Sequence, residues 1–353
     1  MKNRNRFLAT VLMTLAISAL QISPAFAGPD LYPKHINARA QQSIKKALDY
    51  LASTQSEDGN WNNSADGISY PTVMASLAAM AFLAHGDTPT RGPYAQNIAR
   101  AEQFIIGNAR PSGIITSPAE DGSRSMYGHG FSLLFLSEVY GMETDPRTHD
   151  TLKKVIQNAI KLTASGQSAA GGWTYIPGGG DEGSVTVTQM QGLRAAKNAG
   201  FHVPEGTIDA AIHYLEKCKT PEGGIRYSLA SADTTCPAIS AAAIATLYNA
   251  GQYDSKLADD CMSYVSKYFD DHRGQFSKET GHEFYTHLYA SQAFYQAGDK
   301  YWDKYFPEAR DQLIQMQQSN GSWDGDGVGP VYGTAIGAII LQLPYKFLPI
   351  YQR

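Results

Sequence analysis

The chain has 353 residues, of which 43% are apolar and 18% charged, with 33 glycines and 21 tyrosines. That composition belongs to a folded globular protein and excludes a disordered or fibrous one, and three cysteines are too few for a disulfide-built scaffold. The formal charge is −4, and without Lys2, Arg4 and Arg6 the remainder carries 26 basic against 33 acidic side chains, or −7, which argues against a nucleic-acid binder.

The first 27 residues have the three-part pattern of a secretory signal. Met1 to Arg6 is basic, Phe7 to Leu20 is apolar, and Pro24-Ala25-Phe26-Ala27 offers a cleavage site before Gly28. The apolar run is short for a spanning helix, and no later segment is long and apolar enough for one. The expectation is export to a bacterial periplasm or the extracellular space, with residues 28–353 as the mature chain and no transmembrane segment in it.

From residue 36 onward the chain repeats. Gln55-Ser-Glu-Asp-Gly59-Asn-Trp61, Gln167-Ser-Ala-Ala-Gly171-Gly-Trp173 and Gln317-Gln-Ser-Asn-Gly321-Ser-Trp323 share one pattern: Gln, three residues, Gly, one residue, Trp. Weaker copies keep Gly113 with Ile115, Gly223 with Ile225, and Gly274 with Phe276. The six glycines are spaced by 54, 58, 52, 51 and 47 residues, the signature of a repeat architecture.

Each unit begins with an amphipathic helix. Ile44, Leu48 and Leu51 mark the first, and Ile208, Ile212 and Leu215 the fourth. The glycine turn follows, then a loop, then a helix rich in Ala and apolar nearly all round, as in 72–84 and 238–247. Gly86, Gly141, Gly200, Gly251 and Gly298 mark the stops of the second helices. A helix apolar on every side must be buried, whereas a one-sided helix covers it. Six of each predict an all-α (α/α)6 toroid, a single domain over residues 28–353 with six inner helices inside six outer ones. The first and last repeats both keep the full turn, so neither reads as the polar cap of an open solenoid.

Gln-x3-Gly-x-Trp turns joining such helix pairs resemble those of the squalene–hopene cyclase and protein prenyltransferase superfamily, and the likeness covers about residues 36–345. The resemblance implies that the Gln and Trp side chains are structural staples. It also implies a central cavity reached from the N-termini of the inner helices, with an isoprenoid-like or other apolar small molecule as ligand. At that latitude a pair at spacing two recurs: Tyr70/Thr72, Tyr127/His129, Thr186/Thr188, Cys236/Ala238, Tyr285/His287 and Tyr332/Thr334. Tyr127, His129, Tyr285 and His287, with Asp233, are the candidate catalytic residues.

Prenyltransferases hold zinc with an Asp and a Cys from one late repeat and a His from the next. By that resemblance Asp233, Cys236 and His287 are the candidate zinc ligands, and His282 and Asp181 stand nearby. The spacings depart from the family: Asp233 and Cys236 are three apart, and His287 follows Tyr285 one residue late. Triterpene cyclases use an Asp-x-Asp-Asp acid. Asp324-Gly-Asp326 lacks the third Asp, which speaks against triterpene cyclisation.

Two other readings stay open. Other α/α toroids process extracellular carbohydrate, for which Asp233 or Glu283 would serve as acid or base. A toroid without ligands would instead be an interaction scaffold with a protein partner. Pairing of Cys218 with Cys261, on neighbouring outer helices, is also left open. The tail from Phe347 is expected to pack across the last repeat.

Overall fold

A computed structural model describes residues 32–61, 64, 65, 68–272 and 281–352. The expected leader, and the fifth turn with Gly274 and Phe276, lie outside them. Apart from a two-residue ladder pairing Ser64–Ala65 with Ile68–Ser69, the regular structure among the described residues is helical.

The outer helices are α1 (Ala38–Thr54), α3 (Ala95–Gly107), α5 (Pro146–Ser165), α7 (Thr207–Lys217), α9 (Lys256–Asp271) and α11 (Asp299–Met316). Each buries one stripe only; in α1 it is Ala40, Ser43, Ile44, Ala47, Leu48 and Leu51. Two of their starts follow side-chain capping chemistry. Asn37 accepts from the Ala40 N–H, and Asp145 accepts from that of Thr148 ahead of Pro146.

The inner helices are α2 (Pro71–Ala84), α4 (Ser125–Tyr140), α6 (Gly183–Asn198), α8 (Pro237–Asn249), α10 (Glu283–Ala297) and α12 (Pro330–Gln342). Every residue of α2 is buried. Three of the six open on proline, which needs no N–H partner in the first turn. Each inner helix packs on the next, and α12 packs on α2, so the ring closes. The outer ring closes as well, through α11 and α1.

The glycine turns show how. In each complete turn the Gln amide donates to the turn's own Gly carbonyl and to the outer helix of the following repeat. Gln55 reaches Gly59 O at 3.0 Å and Asn97 O at 2.9 Å. Gln167 reaches Gly171 O at 2.7 Å and Thr207 O at 2.9 Å. Gln317 reaches Gly321 O at 2.9 Å and, in the first repeat, Ser43 O at 2.9 Å. The indole N–H of Trp61, Trp173 and Trp323 donates back to Leu51, Thr163 and Leu313 carbonyls at 2.7–2.8 Å. Gly171 has φ +102°, and a Cβ there would meet the Ala210 carbonyl oxygen at 2.2 Å. Only glycine allows both that backbone and that approach.

The last short helical turn, Pro349–Tyr351, does not simply lie over the sixth repeat. It packs on α6, the Ile350 N–H reaches Glu138 of α4, and the Ile350 carbonyl accepts from Gln296 of α10 at 3.5 Å. It therefore sits under the C-terminal ends of the inner helices, with Ile350 and Tyr351 buried. Among the described residues no helix is long and apolar enough to cross a membrane.

Candidate functional site

At the opposite end, where the inner helices begin, a cavity of about 430 Å³ opens. The wall carries six tyrosines: Tyr70, Tyr127, Tyr175, Tyr227, Tyr285 and Tyr332. Val73, Met74, Phe131, Ile239 and Val328 supply its apolar part. Arg124 and His282, both exposed, stand at the rim, and Cys236 lies in the wall.

Three buried or half-buried carboxylates border this end of the ring, each on the N-terminus of an inner helix. Unpaired N–H groups and the positive end of the helix dipole explain the placement. Glu120 caps α2 from the next repeat: Oε1 takes the Thr72 N–H at 3.0 Å and Oε2 the Thr72 hydroxyl at 2.7 Å. Glu182 caps its own helix α6, accepting Val185 N–H at 2.5 Å and Ser184 N–H at 2.8 Å. Asp326 caps α10 from the sixth repeat, accepting Phe284 N–H at 2.9 Å. Burial is the main cause holding Glu182 above the usual carboxylate range, against the hydrogen bonds that lower it. Burial, with the Glu283 carboxyl beside it, pushes Asp326 up to about 7.

Glu182 is also the hub of the tyrosine wall. Ser184 Oγ donates to it at 2.7 Å, and the Tyr127 hydroxyl bonds Ser184 Oγ. The Tyr227 and Tyr175 hydroxyls bond each other, and burial, that bond and the nearby Glu182 carboxylate hold the Tyr227 phenol up. Tyr285 donates across the ring to Ser184 O at 3.2 Å. Arg124 donates to the Tyr70 hydroxyl at 2.9 Å and lies 5.3 Å from the centre of the Tyr175 ring.

The structure brings Tyr127, Tyr285 and Cys236 to this cavity and takes His129, His287 and Asp233 elsewhere. Two residues along a helix turn a side chain through about 200°, so both members of a spacing-two pair cannot face one lumen. His129 Nδ1 accepts the Ile115 N–H at 3.1 Å and its Nε2 meets Thr163 Oγ1 at 2.9 Å. Thr186 and Thr334 accept the N–H of Trp173 and Trp323 in the same way, at 2.9 and 3.1 Å. His129 is thus a turn-to-helix tie, and burial lowers its pKa to about 4.

His287 Nδ1 meets the Tyr305 hydroxyl at 2.8 Å, on the outer side of α10. It lines a separate pocket of about 170 Å³ between α9, α10 and α11, and burial lowers its pKa to about 3. Asp233 is exposed and pairs with Arg226.

The expected zinc set is therefore not assembled. Among the described residues no three His, Cys, Asp or Glu side chains come together as metal ligands. Burial and the Glu182 carboxylate also push the Cys236 thiol up, opposite to what a zinc thiolate needs. Asp181 bears on Tyr214 and Cys218 instead. Cys218 and Cys261 are buried free thiols.

Sequence reasoning missed Glu182, Ser184, Arg124, Tyr175 and Tyr227. The expected third pair, Thr186/Thr188, falls two residues late; Ser184/Thr186 is the structural equivalent, with Ser184 in the wall. Tyr175 and Tyr227 sit two residues after the aromatic or Ile position of their turns, and that repeated offset was the available signal.

No protein-family model matches the chain. A curated relative, a drimenyl diphosphate synthase from Streptomyces showdoensis, is 24% identical over 189 residues, 53% of this chain. The chain spans only a third of that relative's length (33%). Among solved structures, a type II terpene cyclase from Scytonema with geranylgeranyl dihydroxybenzoate aligns over 88% of this chain and 98% of its own. Its TM-score is 0.62 and its identity 14%. An α-1,6-mannanase from Salegentibacter with α-1,6-mannotriose aligns over 86% and 98%, at TM-score 0.62 and 10% identity. A protein from Actinoplanes aligns over 87% and 99%, at TM-score 0.59 and 13% identity. By fold, this chain is an α/α toroid, the architecture it shares with these terpene cyclase and mannanase structures.

Proposed function

We propose that the chain is an exported toroid that binds an isoprenoid-like apolar molecule in the tyrosine-walled cavity at the N-terminal end of its inner ring. The wall itself carries the reading: aromatic and aliphatic side chains enclose a volume of about 430 Å³, and pockets of roughly 300–1,000 Å³ are usual for small-molecule ligands. The drimenyl diphosphate synthase likeness and the terpene cyclase neighbours support an isoprenoid over other apolar ligands. No catalytic step is assigned, because the carboxylates at this end are engaged in holding helix starts.

The mannanase neighbour favours sugar as a second reading. Glycoside cleavage needs two carboxylates flanking one bond. Among the described residues no Asp or Glu lines the cavity, Asp233 pairs with Arg226, and Glu283 accepts from the Gly281 N–H at 3.1 Å. The apolar reading is preferred for that reason.

Two measurements test the proposal. Lipids extracted from purified chain are identified by mass spectrometry, and farnesol is titrated with tyrosine fluorescence as readout. A co-purified apolar molecule, or saturable binding at about one per chain, is expected. A clean extract together with no saturable binding overturns it. Export predicts that the chain recovered from a bacterial periplasm begins at Gly28; an intact Met1 refutes that part.

A further inference from the structure

Two tyrosine hydroxyls of the cavity wall, those of Tyr127 and Tyr285, are not free to turn. Each hydroxyl has one proton, and the neighbours already on the page fix where it goes. Glu182 receives two backbone N–H groups, which are obligate donors, and so presents acceptor oxygens. Ser184 Oγ lies 2.7 Å from Glu182 Oε2 and gives its proton there. Tyr127, bonded to the same Ser184 oxygen, must then be the donor in that pair. Tyr285 faces a backbone carbonyl, Ser184 O at 3.2 Å, and donates to it. Tyr175 and Tyr227 bond each other, and either hydroxyl can be the donor. The protons of Tyr127 and Tyr285 both run into the wall, and their phenol oxygens keep lone pairs for whatever occupies the cavity. A buried carboxylate stands behind them.

We propose that this wall selects a ligand whose polar end is a hydrogen-bond donor, an O–H on an apolar body, over one whose polar end only accepts or is anionic. The alcohol or phenol proton lies toward the lone pairs of Tyr127 and Tyr285, and the apolar body against Val73, Met74 and Phe131. An ether or aldehyde brings a further acceptor to these two oxygens and leaves both sides without a partner there, the costly arrangement in a dry site. A carboxylate meets Glu182 through one layer of hydroxyls. The competing attraction for an anion is Arg124 at the rim, which the Tyr70 hydroxyl and the Tyr175 ring already engage. This inference rests on the apolar-ligand reading and specifies the ligand's head.

The test holds the chain constant and varies the head: farnesol, farnesyl methyl ether, farnesal and farnesoic acid, each titrated against the same protein at neutral pH. Farnesol is expected to bind about tenfold more tightly than the ether or the aldehyde, and more tightly than the acid. Ser184→Ala removes the acceptor of the Tyr127 proton and frees it for the ligand. The preference for alcohol over aldehyde then falls by about fivefold or more. Tyr127→Phe, which keeps the ring, narrows the same preference without gaining for aldehyde. Melting curves of both variants show whether they are folded, so one stands if the other does not.

Equal or tighter binding of ether, aldehyde or acid by the wild-type chain overturns the inference and leaves the apolar-ligand reading standing. An alcohol preference unchanged in both variants overturns the assignment to this wall. Binding of none of the four by the wild-type chain defeats the functional reading itself.

Discussion

Trp173 closes its turn with one hydrogen bond and a fully buried ring. Trp173→Phe keeps most of the packing and leaves the Thr163 carbonyl without that donor, so a loss of about 1–3 kcal/mol is expected. Trp173→Ala also empties the site and should cost about 3–5 kcal/mol. Urea unfolding of the two variants separates the terms, and equal losses would show that the indole N–H contributes nothing. Asp326 gives a pH signature. Its carboxyl is held up at about 7 by burial and by Glu283, while an unfolded aspartate titrates near 3.8. Between those values the folded chain binds the extra proton, so this group's contribution falls as pH rises from about 4 to about 7. Asp326→Asn keeps an acceptor for the Phe284 N–H and cannot ionise. The stability difference between variant and wild type should shift in the variant's favour across that window, as read from melting temperature against pH. A flat difference removes the assignment.

Single elements respond to backbone strain in a graded way, because their glycines differ in what stands opposite. A Cβ on Gly171 would lie 2.2 Å from the Ala210 carbonyl oxygen, whereas one on Gly223 would lie 3.1 Å from that of Asp260, at similar φ of +102° and +94°. Gly171→Ala must therefore push α7 away from its turn and is expected to destabilise more than Gly223→Ala, by about 1 kcal/mol or more. The reverse order in urea melts would mean that φ alone sets the cost. The same contrast shows what the sequence could and could not reveal. Turn spacing and one-sided against all-round apolarity made both helix types and their nesting legible, since each follows from local pattern. Rotational phase was legible in principle, because Tyr127 and His129 cannot both face inward. Which one does was decided by the tie that His129 makes to the Ile115 N–H, a contact between segments. Glu182 was invisible for a related reason. Glutamate is not a favoured helix cap, and its role depends on Ser184 of α6 and Tyr127 of α4 meeting across two elements.

At the scale of the whole molecule, ring closure makes an otherwise ordinary substitution diagnostic. In an open solenoid each repeat touches only its sequence neighbours, so the last turn has no following repeat to hold. Here Gln317 holds the first: its amide donates to Ser43 O at 2.9 Å, as Gln55 donates to Asn97 O at 2.9 Å one repeat onward. Gln167→Ala and Gln317→Ala each delete two hydrogen bonds to backbone carbonyls, worth about 1–3 kcal/mol together. If the ring is closed in solution, the two variants lose the same stability within about 0.5 kcal/mol, and both unfold in one transition. If it opens at the α12–α2 seam, the Gln317 bond to Ser43 is already lost in the wild type, and Gln317→Ala costs clearly less. Hydrogen exchange at the seam decides between them independently. In a closed ring the middle turns of α1 and α2 are protected as well as the middle of α6, because their neighbours across the seam, α11 and α12, are always present. That protection matters for the ligand reading too, since Tyr70 and Tyr332 reach the cavity from the two sides of the same seam.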